Sequence, residues 1–286
     1  TTIPGDLPRV DNFTQMQDEI YAQLKSLITE LHTLPSSTDN QKKLAILNAS
    51  YLDMDTRNAR GMKPIADDFA AINDLKTHQD VARHFAEFQI VGIQSPLIII
   101  PETDFKDSSI KIAYVVQAGL GVDRDYYLGE DARSKNQLKL YGEFIADLFK
   151  LAAVANADVG SKHVLQVETK LAQIQWSNVQ NRDLKKLYNP YSFDEFTDLT
   201  RDIYGKQVLS ILNVPTEHAI SVMQPSYFKE YNALFQHIDV ASWKLYLKAR
   251  LLTHYSTMLS DEFKQTWVNY QKRLGVFAEE PPMWRQ

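Results

Sequence analysis

Gly119–Asp131 reads GLGVDRDYYLGED, and the interpretation of this stretch decides the fold. It lies between two ordinary structural segments and reads as a connection, not as core. Tyr126 and Tyr127 are adjacent and point in different directions on any backbone, so at least one meets a partner surface. Asp123, Arg124 and Asp125 place alternating charge beside them. The residues alone leave two readings open: a solvated turn with one packed tyrosine, or a loop whose aromatic pair docks onto something. Gly119-Leu120-Gly121 has the start of a dinucleotide fingerprint, but Arg124 stands where the third glycine belongs and no suitable strand-loop-helix unit follows.

Upstream of the loop, Leu97–Ile100 and Ile110–Val116 are β-branched runs joined by a polar segment with Asp104, Lys106, Asp107 and Ser108, a hairpin signal. Almost everything else has helical spacing. Asp11 can cap a helix with Phe13, Met16, Ile20, Leu24, Leu27, Leu31 and Leu34 at three- and four-residue intervals, ended by Pro35-Ser36-Ser37. A second helix is expected from about Asn40 to Asn58, punctuated by Gly61 and Pro64, and shorter ones near Ile65–Leu75 and His78–Ile90. Beyond the loop, Ala132–Ala155 and Val159–Trp176 are helical. Ser192 with Glu195 forms a capping box, and Ser226–Ile238 and one long segment from about Ser242 to Leu274 follow. No internal repeat, low-complexity tract or clear linker interrupts this pattern.

The composition excludes several classes. At 286 residues the chain can bury a substantial core as one large or two ordinary domains. A net charge of −5 and the lack of a basic stripe argue against a nucleic-acid surface. The absence of cysteine excludes a disulfide framework, a thiolate zinc site and a thiol nucleophile. The longest apolar run, Pro96–Pro101, is too short to span a bilayer, and no signal-peptide pattern is present. The TTIPGD start and the MWRQ end, after a Pro-Pro pair, look cut.

No familiar catalytic constellation stands out. The seven histidines, at 32, 78, 84, 163, 218, 237 and 254, contain no H-E-x-x-H and no pair four apart, so two imidazoles cannot converge on a metal from one helix face. They read as surface or hydrogen-bonded residues. The acidic pairs Asp67-Asp68, Asp194-Glu195 and Asp261-Glu262 read as solvated faces or first-turn acids. Arg9 and Phe13 straddle the start of the first helix. They are either a solvated arginine before an apolar face or a guanidinium able to grip a carboxylate beside a ring.

Five separated stretches occur in a familiar order: RVDNF at Arg9–Phe13, LDMDTRNARGMKPI at Leu52–Ile65, GVDRDYYL at Gly121–Leu128, YNPYSFDEF at Tyr188–Phe196, and Trp284-Arg285. Together they resemble the N-terminal region of the neprilysin and endothelin-converting-enzyme family of zinc metallopeptidases, with bacterial endopeptidase O-like members. The resemblance implies a mostly α fold over residues 1–286, a multi-helix lobe with a small β-hairpin that forms the N-terminal part of a two-lobed peptidase enclosing a cavity. It implies zinc in the full-length parent, bound by a C-terminal catalytic portion that would be this chain's partner, and none bound here. It implies peptide substrates, with Arg9 on the primed side able to bind a terminal carboxylate and Phe13 lining the primed-side pocket. Arg124, Tyr126 and Tyr127 are then a structural motif packing segments of the lobes. Thr14 and Gln17 depart from neprilysin's aspartate and second arginine, which bears on release of C-terminal dipeptides. The expectation is an access-controlling region, inactive alone, of a bacterial enzyme that is cytoplasmic or exported, with the cytoplasm favoured. The alternative is a stand-alone helical binding or scaffold protein that never had a catalytic half.

Overall fold

The computed structural model describes residues 5, 10–31, 38–215, 217 and 219–280. The chain divides into two compact units, one made of residues 1–64 and 255–286 and the other of residues 65–254.

In the first unit, α1 (Asn12–Leu31), α2 (Asp39–Leu52) and α3 (Met54–Arg60) are followed, from the C-terminal part of the chain, by α13 (Asp261–Arg273). Asp11 caps α1 as expected, its Oδ1 accepting from the Thr14 amide at 2.8 Å. Leu34 and the Pro35-Ser36-Ser37 stop lie outside the described residues. The single helix expected from Asn40 to Asn58 is two helices, because Asp53 leaves helical geometry and its carboxylate accepts from the Thr56 amide at 3.0 Å to start α3. Arg57 fastens this corner, its guanidinium donating to the carbonyls of Tyr51, Thr257 and Leu259. Carbonyl oxygens at a helix end lack intrahelical donors, so a cation is well placed there. Lys264, almost fully buried, pairs with Glu280 at 2.6 Å. None of α1, α2 or α3 has a buried residue.

The second unit begins with α4 (Ala66–Asp74) and α5 (His78–Ile90), then β1 (Leu97–Thr103) and β2 (Lys111–Gln117). Next come α6 (Arg124–Leu128), α7 (Ala132–Leu151), α8 (Ala157–Ile174), β3 (Pro190–Tyr191), α9 (Phe193–Leu199), α10 (Gly205–Ile211), β4 (Ile220–Val222), α11 (Pro225–His237) and α12 (Val240–Tyr255). The expected hairpin is present, β1 antiparallel to β2, but it is half of a four-stranded sheet ordered β1-β2-β4-β3. β4 joins β2 in parallel and β3 closes antiparallel on β4. The expected long helix from Ser242 to Leu274 is also two: α12 stops at Tyr255, and Ser260 stands at the N-cap of α13.

Side chains close the outer edge of β1. Ser95 Oγ donates to the Leu97 carbonyl at 2.6 Å, Gln89 Nε2 donates to that of Ile99, and Glu102 accepts from the Thr103 amide at 2.8 Å. Pro101 has no amide to offer, so a strand added along this edge would meet three occupied groups and one missing donor.

The core of this unit is aromatic. Trp243, Tyr227, Tyr231, Tyr246, Phe149, Phe196, Phe228 and Phe235 are fully buried. Phe85 meets Trp243 edge-on with centroids 5.4 Å apart, and Tyr227 stacks on Tyr231 at 5.5 Å, arrangements that suit the ring quadrupole. Helix starts obey the sequence signals. Ser192 and Glu195 form the expected capping box on α9, and Thr77 and Asp80 form another on α5. Asp67-Asp68, Asp194-Glu195 and Asp261-Glu262 all fall in first helical turns, where the helix dipole favours acids.

Candidate functional site

The double-tyrosine stretch is more ordered than a connection. Asp123 accepts from the Asp125 amide at 2.9 Å and starts the one-turn helix α6, which turns Tyr127 into the core and leaves Tyr126 half-buried. Tyr127 donates to Glu168 Oε2 at 2.6 Å and accepts from the amides of Gly121 and Val122 at 3.2 and 3.3 Å. Its hydroxyl therefore ties the loop's own backbone to a carboxylate on α8.

Glu168 has no exposed surface. Tyr141 of α7 donates to its other oxygen at 3.1 Å, and Arg250 of α12 lies 3.8 Å from that same oxygen. Burial pushes the Glu168 carboxyl up to about 6, against the opposing pull of Arg250 and the two tyrosine hydroxyls. Burial and the nearby carboxylate push the Tyr127 and Tyr141 phenols well above their ordinary value. Glu168, Tyr127 and Tyr141 are buried, while Arg250 keeps 12% of its side chain exposed, and the cluster fixes the loop against α7, α8 and α12.

The two glycines of GLG have specific reasons. Gly119 has φ +88°, and a Cβ there would lie 2.8 Å from the Pro96 backbone. A Cβ on Gly121 would overlap the Tyr141 ring and hydroxyl. Each glycine lets the loop backbone approach a neighbour, and Tyr246 donates to the Gly119 carbonyl at 2.6 Å. Arg124 Nε donates to the Gln175 carbonyl at 2.9 Å, while Gln175 Nε2 donates to the Ala118 carbonyl at 2.7 Å. Gln117 and Trp176 exchange two further bonds of 2.8 and 2.9 Å, so the loop is stitched to the end of α8 along its length.

Sequence reasoning found Arg124, Tyr126 and Tyr127 but missed Glu168. The signal was available: Val164, Val167 and Leu171 mark a buried face of α8, and Glu168 lies on it. An acid on an apolar stripe needs partners. Tyr141 and Arg250 could not be found this way, because they come from helices 27 residues before and 82 residues after it.

Phe13 stands on α1 with 79% of its surface exposed, and Arg9 lies outside the described residues. His78 and His237 are hydrogen-bonded to the carbonyls of Ile238 and Ala233 at 2.8 and 2.7 Å, in keeping with the bland reading. His84 is buried against Phe88 with Nδ1 paired to Glu87 at 3.2 Å, while its Nε2 has no partner. His32 and His218 are outside the described residues. Among the described residues no three His, Asp or Glu side chains converge where they could hold a metal, so the donor set does not fit a zinc ion. No described helix is long and apolar enough to cross a membrane.

The family model described as Peptidase family M13 matches residues 1–286. The neutral endopeptidase of Lactococcus lactis subsp. lactis is 24% identical over 261 residues, covering 88% of this chain and 40% of that protein. Neprilysin-1 of Caenorhabditis elegans is 21% identical over 315 residues, covering 99% and 41%. The crystal structure of the Mycobacterium tuberculosis zinc metalloprotease ZMP1 with an inhibitor superimposes with a TM-score of 0.92 at 23% identity, covering all of this chain and 44% of that one. PEPO of Lactobacillus rhamnosis superimposes at 0.82 with 19% identity, covering all of this chain and 46% of that one. The chain thus spans about two fifths of the length of the curated relatives it matches.

Proposed function

The chain belongs to peptidase family M13, and from that premise we propose that it is the access-controlling, non-catalytic region of a zinc endopeptidase, inactive by itself. The observation that carries this is the first unit's uncovered apolar surface. On α1, Phe13, Met16, Ile20, Leu24 and Leu27 recur at three- and four-residue spacing and all are exposed. On α2, Leu44, Ile46, Leu47 and Leu52 are exposed as well. An apolar helical stripe in water asks for a cover, and patches of this kind mark interaction surfaces.

The cover we assign is the remaining portion of the enzyme, which supplies the metal-binding residues that the described part of this chain lacks. Zinc bound there would polarise the scissile carbonyl and activate a water. The contribution of this chain is cavity wall, size exclusion and substrate contact. Phe13 supplies an apolar primed-side surface, and Arg9 binds a peptide carboxylate. Arg124, Tyr126 and Tyr127 keep the wall in shape.

Charge placed on the stripe tests this. Met16→Asp with Leu27→Asp leaves the unfolding midpoint of the 286-residue chain unchanged and abolishes zinc-dependent peptide hydrolysis by the full-length enzyme. Full activity of the double variant would overturn the assignment.

A further inference from the structure

The stretch Leu52–Ile65, LDMDTRNARGMKPI, forms part of a cavity of about 410 Å³ in the first unit. Met258 and Leu259, just before α13, and Leu47 and Tyr51 of α2 complete its walls. Hydrogen bonds hold these walls in place. Arg57 donates to the carbonyls of Tyr51, Thr257 and Leu259, and Asn58 Oδ1 accepts from the Asp261 amide at 2.7 Å. The ends of α2 and α3 are thereby fixed to the start of α13, and the cavity is preformed. Gly61, at φ +53°, also lines it, and a Cβ there would meet nothing within 4 Å.

The charged groups inside are already committed. Arg57 is spent on carbonyls, and Asp53 accepts from the Thr56 amide. What remains is apolar: Tyr51 and Leu259 on the buried side, flanked by Leu47 and Met258, which are 66% and 53% exposed. Ser50, Thr56 and Arg60 are exposed polar residues of the same lining. An apolar centre with polar groups at its rim is the anatomy of a site that receives an anchoring side chain from another protein surface.

We propose that this cavity is the socket for one large apolar side chain of the enzyme's remaining portion. The inference rests on the reading above, in which that portion covers the stripe on α1 and α2, and it names where the cover is anchored. Leu47 belongs both to the cavity and to the uncovered face of α2, so the two surfaces are continuous. A small molecule held in the cavity would leave the rest of that face in water. None of α1, α2 or α3 has a buried residue, and three helices without a core need a lasting cover. The chain covers 40% and 41% of two curated relatives, so most of the length of such proteins is available to supply it.

Photo-crosslinking in the full-length enzyme tests this. The photoreactive p-benzoylphenylalanine is placed at position 47 or 258 in the cavity, or at position 13 on the stripe as the reference, and captured peptides are identified by mass spectrometry. Both cavity positions capture an apolar residue outside residues 1–286 of the same molecule. Adding Ser50→Trp, which fills the cavity from its rim, removes capture from position 258 and leaves that from position 13 in place. Capture confined to residues 1–286, capture of a second copy at doubled mass, no capture from either cavity position, or capture indifferent to Ser50→Trp would each overturn the proposal. Capture outside residues 1–286 from position 13 but from neither cavity position removes the socket and leaves the cover standing. Its absence from all three positions removes both.

Discussion

Replacing Glu168 with Gln should reverse part of the chain's pH dependence of stability, with a sign and size set by the buried cluster. The folded carboxyl titrates at about 6 and an ordinary glutamate at 4.5. The raised value means that the native state holds its proton more tightly than the unfolded chain. Its contribution is therefore fully present below 4.5 and is lost as pH rises through 6. At about 1.4 kcal/mol per pH unit, the full loss amounts to about 2 kcal/mol at neutral pH and above. The groups facing Glu168 are Tyr127, Tyr141 and Arg250, and neither the tyrosines nor the arginine changes charge in that window. His84 works in the opposite sense: burial holds its imidazole below the ordinary value of 6.5, so its contribution is present above 6.5 and is lost as pH falls. The difference between wild type and Glu168→Gln cancels the His84 part. Urea unfolding of both proteins from pH 4.5 to 8 should show Glu168→Gln gaining about 2 kcal/mol on wild type toward high pH, whatever the offset at low pH. A difference that stays flat, or that moves in favour of wild type, would refute the account of Glu168 as a carboxylate held against its burial.

Gly121→Ala drives a methyl into Tyr141 and should lower unfolding free energy by about 2 kcal/mol, measured in urea. Ser192→Ala removes the capping box of α9, and a loss of about 1 kcal/mol in the same assay is expected. Phe13→Ala should leave the stability of this chain within about 0.5 kcal/mol, because the ring is exposed. In the full-length enzyme the same change should lower kcat/KM for apolar primed-side peptides by about tenfold.

How far the sequence could be read depends on the distance over which each feature is specified. The capping signals at Asp11, Ser192 and the three acidic pairs are local, and all fall where the helices start. The β1–β2 hairpin was legible because β-branched runs flank a polar turn. β3 and β4, of two and three residues, are too short to alternate visibly, and β4 reaches β2 from more than 100 residues away. The breaks at Asp53 and Ser260 were missed because apolar spacing continues across both, although each of these residues is a good N-cap type. At the candidate site the double tyrosine was visible and its carboxylate partner was not, since a helical period shows which face is buried without showing what it meets. The uncovered stripe of α1 read as an ordinary amphipathic helix, and only the structure shows it without a cover.

Zinc-dependent cleavage of a quenched fluorescent peptide, measured for the 286-residue chain alone and for the same chain joined to the remaining portion of the enzyme, tests the central claim most directly. The account predicts no chelator-sensitive hydrolysis from the chain alone and chelator-sensitive hydrolysis from the joined protein. Zinc-dependent turnover that belongs to the 286-residue chain by itself would contradict it.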